Sequence, residues 1–200
     1  MTKLSKIDKS GWDDYWKSRS LKRKFIEFIR KIYFSKIFIR DVLKYSEPGD
    51  GIIEAGCGSG TYLKLFEGSG RIAFGLDYSP ESVKLSKINC DNIIRADMGE
   101  MPTKDRSFKV IFSQGVMEHF TDEQFNRFLK EQKRVSKHVI IILPCKWSIW
   151  RIYDPIGDDP NKRFFSKKKL TQLMKTEFDD VKVRYMWESG LLSMIAIGSS

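Results

Sequence analysis

Three groups of residues in this 200-residue chain have the types and spacing for chemistry. The first is Glu54-Ala55-Gly56-Cys57-Gly58-Ser59-Gly60. Alternate glycines let a backbone turn tightly and approach a ligand with no Cβ in the way. A helix opening after them offers N–H groups to an anionic part of that ligand. The second group is a single residue, Asp77, which follows at about the spacing where nucleotide-binding folds place a ribose-binding carboxylate. The third is Glu118-His119, whose imidazole can accept a proton near neutral pH. Between them, Asp97 and Gln114 each follow a short apolar run, so their side chains can face a crevice at the strand ends.

Such residues need a scaffold, and the hydrophobic pattern predicts one of alternating strands and helices. Residues 51–54, 71–76, 92–95, 108–113 and 139–143 read as strands. Helices are expected over about 61–67, from Ser79-Pro80-Glu81 to about Asn89, over 121–136 and over 166–178. Ser79 and Thr121 or Asp122 have the chemistry of N-caps, and Pro80 suits a first helical position. Val139 to Leu143 is apolar at every position, as expected when both faces of a sheet are covered. Val181 to Trp187 and Leu191 to Ile197, joined by Glu188-Ser189-Gly190, read as a terminal hairpin. Ahead of the first strand, apolar residues from Leu21 to Tyr45 recur at helical spacing with Lys and Arg between them. This order implies an α/β fold with a mostly parallel sheet wrapped by helices on both faces. Ligands in such folds bind beyond the carboxyl ends of the strands.

A glycine loop with a following acid is also found in dinucleotide dehydrogenases, so it does not name a ligand. Several stretches together resemble the class I S-adenosylmethionine-dependent methyltransferases, in particular the small-molecule branch that includes ubiquinone- and menaquinone-pathway enzymes. They are Ile53 to Gly60, Gly75-Leu76-Asp77-Tyr78-Ser79, Arg95-Ala96-Asp97-Met98 with Met101-Pro102, and Val116 to Phe120.

The resemblance runs from about Trp12 to the terminal hairpin. It implies a Rossmann-like, seven-stranded, mostly parallel sheet with a C-terminal antiparallel hairpin, preceded by N-terminal helices. Residues 1–48 would be a lid and basic amphipathic helices of the same domain, and residues 49–200 the cofactor-binding core. S-adenosylmethionine would be bound by Glu54, Gly56, Cys57, Gly58 and Gly60, by Asp77 at the ribose hydroxyls and by Tyr78 beside the adenine. Asp97 and the Met98 N–H would meet the adenine edge, and Gln114 the amino-acid part or the acceptor. His119 as proton acceptor and Tyr15 as part of an aromatic lid complete the implied active site. Glu118-His119 also fits a packing role beneath the loop. Some relatives carry a further carboxylate three residues before this Glu and bind a divalent metal. Gly115 stands there, so no metal is expected.

The partners are less defined. A formal net charge of +10 favours anionic surroundings. Arg19, Lys22, Arg23, Lys24, Arg30, Lys31, Lys36 and Arg40, with Phe25, Phe28, Phe34 and Phe38 between them, suit an anionic membrane surface. They also suit RNA, a weaker expectation, or plain solvent. Arg163 with Lys167 to Lys169 makes a second basic cluster. The segment from Lys146 to Phe165, with Trp147, Trp150, Tyr153 and Phe164, reads as the wall of an apolar or planar acceptor's site. The leading expectation is methyl transfer to an O, N or C atom of a small, lipid-like or aromatic molecule. An RNA or protein methyltransferase and a catalytically silent binding protein are the alternatives. Cys57, Cys90 and Cys145 form no CxxC pair, and no apolar run approaches a membrane-spanning length. Both fit a cytoplasmic protein, peripheral at a membrane if the basic helices dock there.

Overall fold

The computed structural model describes residues 9–17, 35–147, 162–188 and 191–200. The strands are β1 (Gly51–Ala55), β2 (Ile72–Asp77), β3 (Ile93–Arg95), β4 (Phe108–Gln114), β5 (Ser136–Pro144), β6 (Asp180–Glu188) and β7 (Leu191–Ser199). The helices are α1 (Lys9–Lys17), α2 (Ser35–Lys44), α3 (Leu63–Glu67), α4 (Pro80–Ser86), α5 (Asp122–Val135) and α6 (Lys167–Met174). A short 3-10 turn spans Met117–His119.

All seven strands form one sheet in the order β3-β2-β1-β4-β5-β7-β6. β1 to β5 run parallel, and β7 is antiparallel to both β5 and β6. The expected seven-stranded Rossmann-like sheet and its antiparallel pair are both present. β7 lies inside the sheet and β6 takes the edge, and composition explains the order. Met194, Ile195 and Ala196 of β7 are fully buried, whereas β6 presents exposed Lys182 and Arg184. Charged residues on an edge strand discourage pairing with another chain.

Successive strand residues point to opposite faces, and this alternation divides the core in two. Ile53, Ile111, Val139, Ile141 and Leu143 pack on one side with Phe125 and Leu129 of α5 and Leu170 of α6. Ile52, Val110, Phe112, Ile140 and Ile142 pack on the other with Phe38 and Val42 of α2 and Phe66 of α3. The uninterrupted apolar run of β5 follows from this double burial. Each fully buried side chain of this size stabilises the fold by roughly 1.5–3 kcal/mol.

The helix boundaries follow local chemistry. Ser79 caps α4 by accepting the Ser82 N–H, with Pro80 at the first helical position. Thr121 caps α5 in a reciprocal capping box with Gln124, so Thr121 and not Asp122 is the cap. α4 stops at Ser86, earlier than the expected Asn89. The N–H groups of Ile88 and Asn89 bond to Leu85 and Ser86 three residues back, tightening the last turn.

One expectation is corrected outright. From the sequence, the aromatic segment from Trp12 to Trp16 is expected as a lid lying before the first helix; it is instead helical itself and forms α1. The expected helical stretch from Leu21 to Tyr45 is described only as α2, and residues 18–34 lie outside the described residues. Among the described residues, no helix is long and apolar enough to cross a membrane.

Candidate active site at the carboxyl ends of the strands

The glycine loop leaves β1 and is pinned at once to its neighbour. The N–H groups of Gly56 and Cys57 both donate to the carbonyl of Leu76, at 2.7 and 3.0 Å. From α4, the buried Ser82 hydroxyl donates to the Gly58 carbonyl at 2.8 Å. Asn89, just beyond that helix, donates to the Ser59 carbonyl at 2.9 Å. Gly58 has φ of +54°, and a Cβ there would lie 2.6 Å from the Trp16 ring. Only glycine fits that position. Gly60, with φ of +66°, packs against Ser86 and does not line the cleft. Its expected place at the cofactor is therefore a packing position behind the loop.

Asp77 ends β2 and faces the loop. One oxygen accepts the Gly58 N–H at 2.9 Å, and the other accepts the Ser79 N–H at 3.0 Å. Burial raises the Asp77 carboxyl, against the downward pull of those two hydrogen bonds. Glu54, at the end of β1, is 3% exposed. Burial, reinforced by the charge of Asp77, pushes its carboxyl well above the usual carboxylate range. Burial likewise raises the Cys57 thiol, so this cysteine is a weak nucleophile.

The cleft between these groups and the segment after β4 holds about 210 Å³. Besides the loop it is lined by Trp12, Trp16, Tyr62, Tyr78, Ala96, Met98, Gln114, Val116, Glu118, His119, Phe120 and Lys162. Three buried acceptor oxygens in it have no hydrogen-bond partner: Oε2 of Glu54, Oε1 of Gln114 and Oε2 of Glu118. Buried polar atoms are normally satisfied, so this cleft asks for a ligand rich in N–H or O–H donors. S-adenosylmethionine fits, because it brings an ammonium group, ribose hydroxyls and a sulfonium charge.

Known proteins share this fold. Residues 53–141 match the methyltransferase domain family. In solved structures, magnesium protoporphyrin IX methyltransferase of Synechocystis PCC 6803, with SAH bound, has the same fold. Its TM-score is 0.74 at 14% identity, covering 96% of this chain and 99% of that one. Residues 53–141 are thus similar to a methyltransferase domain, and the chain has the fold of S-adenosylmethionine-dependent methyltransferases. A probable tRNA methyltransferase 9B of Bos taurus is 34% identical over 98 residues, 48% of this chain but 21% of that protein. An uncharacterized protein of Methanocaldococcus jannaschii is 28% identical over 192 residues, covering 89% of this chain and 71% of the relative.

Within the methyltransferase domain most residues singled out from sequence converge on the cleft. Glu54, Gly56, Cys57, Gly58, Asp77, Tyr78, Met98, Gln114 and His119 all line it. Asp97 differs. Its neighbours Ala96 and Met98 line the cleft, but its carboxylate accepts the Gly99 N–H at 2.8 Å and pairs with Arg127 at 3.3 Å. Tyr15 belongs to α1, and its side chain lies outside the described residues. The aromatic cover that the structure does describe is Trp12 and Trp16. They are four residues apart on one face of α1. The Trp12 ring meets His119 edge-on at 5.0 Å, and Asp13 of the same helix accepts a hydrogen bond from Ser79. The signal for this helix was the spacing of the two tryptophans.

The expected acceptor wall is described in part. Residues 148–161, including Trp150 and Tyr153, lie outside the described residues, and Trp147 is 79% exposed. The second basic cluster is partly neutralised, since Arg163 and Lys169 both pair with Asp122. Gly115 has φ of +68° and turns the chain into the 3-10 segment that carries Glu118 and His119.

Proposed function

We propose that this methyltransferase domain moves the methyl group of S-adenosylmethionine to an oxygen, nitrogen or carbon atom of a small acceptor with apolar or aromatic character. The observation that supports this reading is the aromatic end of the cleft, where Trp12 meets His119 edge-on and Phe120 lines the same wall. Such a wall excludes water and takes a flat or apolar molecule. It also fits the resemblance to the small-molecule branch carried by the sequence motifs.

Bound there, S-adenosylmethionine supplies an electrophilic methyl group on a sulfonium. The residues of the chain hold, orient and deprotonate. In this reading Asp77 holds the ribose hydroxyls and Tyr78 and Met98 flank the adenine. Glu54 and Gln114 offer their unpartnered oxygens to the ammonium group. Strand order supports this arrangement. Loops after β2 and β3 lie on one side of the glycine loop and the segment after β4 on the other, which leaves the acceptor beside His119. His119 then takes the proton of an O–H or N–H acceptor. Residues 1–48 act as part of the same domain, with α1 as the cover and the basic stretch as a contact to anionic surroundings.

A second reading is tRNA as acceptor, favoured by the 34% identity to a probable tRNA methyltransferase and by the net charge of +10. Incubation of the full chain with methyl-labelled cofactor separates the two. The small-molecule reading expects label in the low-mass fraction of a cell extract. Label confined to added tRNA, insensitive to removal of that fraction, overturns it.

A further inference from the structure

We infer that Asp13 is a positioning residue that couples retention of the cofactor to closure of the acceptor end of the cleft. This rests on the methyltransferase reading above and concerns how that one site is held together. On α1, Asp13 neighbours Trp16 at a spacing of three residues, and Trp12 neighbours Trp16 at four. The Asp13 carboxylate accepts the hydroxyl proton of Ser79, a fully buried residue that lines the cleft. A serine hydroxyl has one proton to give. The Ser79 oxygen meanwhile accepts the Ser82 N–H at 3.2 Å, the cap of α4. Asp13 therefore takes the whole donor capacity of that side chain.

From Ser79 the contacts run in a circuit. One Asp77 oxygen accepts the Ser79 backbone N–H at 3.0 Å, and the other accepts the Gly58 N–H at 2.9 Å. Gly58 lies against the Trp16 ring, so close that a Cβ would stand 2.6 Å from it. The acid assigned to the ribose is thus tied to α1 by two routes, through Ser79 to Asp13 and through Gly58 to Trp16. The same helix reaches the acceptor end, where Trp12 meets His119 edge-on at 5.0 Å. All three contacts are carried by one nine-residue helix, so lifting it parts them together. Of the three, the Asp13–Ser79 bond is the polar one, and a hydrogen bond to a carboxylate is roughly twice as strong as a neutral one. Removing the carboxylate strands a buried hydroxyl while α1 is docked, but not once α1 is lifted and water reaches Ser79. The equilibrium then shifts toward the lifted helix. A ligand under a cover leaves while the cover is open, so release quickens.

The test is stopped-flow release of S-adenosylhomocysteine from the full chain, read by tryptophan fluorescence. Imidazole NMR signals provide the second readout, and the chain has two histidines. Asp13→Ala should speed release roughly tenfold or more. It should also move the His119 signal as Trp12 withdraws, and leave His138, packed on Tyr45 near the start of β5, where it was. Asp13→Asn keeps an acceptor oxygen for Ser79 and should behave as the unmodified chain. Asp14→Ala, at an exposed position of the same helix, makes the same change in helix propensity and should alter neither readout. Unchanged release or an unmoved His119 signal in Asp13→Ala overturns the inference. So does equally fast release from Asp13→Asn, or from Asp14→Ala, which would trace the effect to the helix and not to the Ser79 bond. Failure of the unmodified chain to bind S-adenosylhomocysteine would instead sink the methyltransferase reading itself.

Discussion

The carboxylate of Asp77 is hydrogen-bonded to the backbone N–H of Gly58 at 2.9 Å. The acid that ends β2 therefore fastens the loop that follows β1, and both sit on the same cleft. This one contact joins the first two chemical signals of the sequence.

Replacing Asp77 by Ala removes that bond and a candidate ribose acceptor together. Binding of S-adenosylmethionine should weaken by roughly 1–3 kcal/mol, the range for a charge-assisted hydrogen bond. Calorimetry reads the affinity and thermal unfolding reads the loop. An unchanged affinity would remove Asp77 from the cofactor site.

Gly58→Ala meets two obstacles, the left-handed backbone and the Trp16 ring 2.6 Å from the new Cβ. The strain of the left-handed conformation alone costs about 1–2 kcal/mol. The variant should melt lower and bind S-adenosylmethionine more weakly. Combining it with Trp16→Ala should restore part of the loss in melting temperature, because the clash goes and the strain stays. No recovery in the double variant would show that Trp16 does not limit the loop.

Glu54 predicts a pH effect of definite sign. Its folded-state proton affinity is raised by burial and then by the Asp77 charge. The native state therefore keeps a proton that the unfolded chain has already lost, and stability falls as pH rises from the ordinary carboxylate range through the folded value. Glu54→Gln removes this penalty. Its melting temperature relative to the unmodified chain should climb as pH goes from about 4 to about 8, without cofactor present. A difference independent of pH contradicts the assignment.

Arg134 fastens α5 to the loop after β3. It donates to the carbonyls of Met101 and Thr103 at 3.1 and 2.9 Å and to both Glu131 and Asp105. Arg134→Ala should lose about 1–3 kcal/mol in urea unfolding. Arg134→Lys should recover little of it, because an ammonium cannot reproduce the guanidinium fork. Hydrogen bonding from Arg134, against a burial effect that raises it, holds Glu131 below its usual value. The stability from this pair is accordingly lost as pH falls through the folded value, and Arg134→Ala should flatten the acid side of the stability profile. Cofactor affinity should not change, since Arg134 does not line the cleft.

Most of the frame was legible in the residues because it rests on short-range rules. The caps at Ser79 and Thr121 are four-residue motifs, and the strands show as apolar runs bounded by turns. The α1 helix was written only in the spacing of Trp12 and Trp16. Its sequence, Lys9 to Lys17, contains Gly11 and two adjacent aspartates, all poor helix formers. Packing of Trp16 on Gly58 and of Asp13 on Ser79 accompanies the helix there. Asp97 reads as a residue facing the crevice until Arg127, from α5, is seen to take its carboxylate.

By itself, the sequence determined the glycine loop, the acid at its proper interval, the alternation of strands and helices, and through these the class of fold. Each is written in spacings of a few residues or in the period of the hydrophobic pattern. Only the tertiary structure decided that Glu54, Gln114 and Glu118 present unpartnered oxygens to one cleft. It also decided that Trp12 covers His119 and that Lys162 joins them from the far side of the chain. Those relations depend on strand order and on contacts between residues distant in sequence, which local spacing cannot encode.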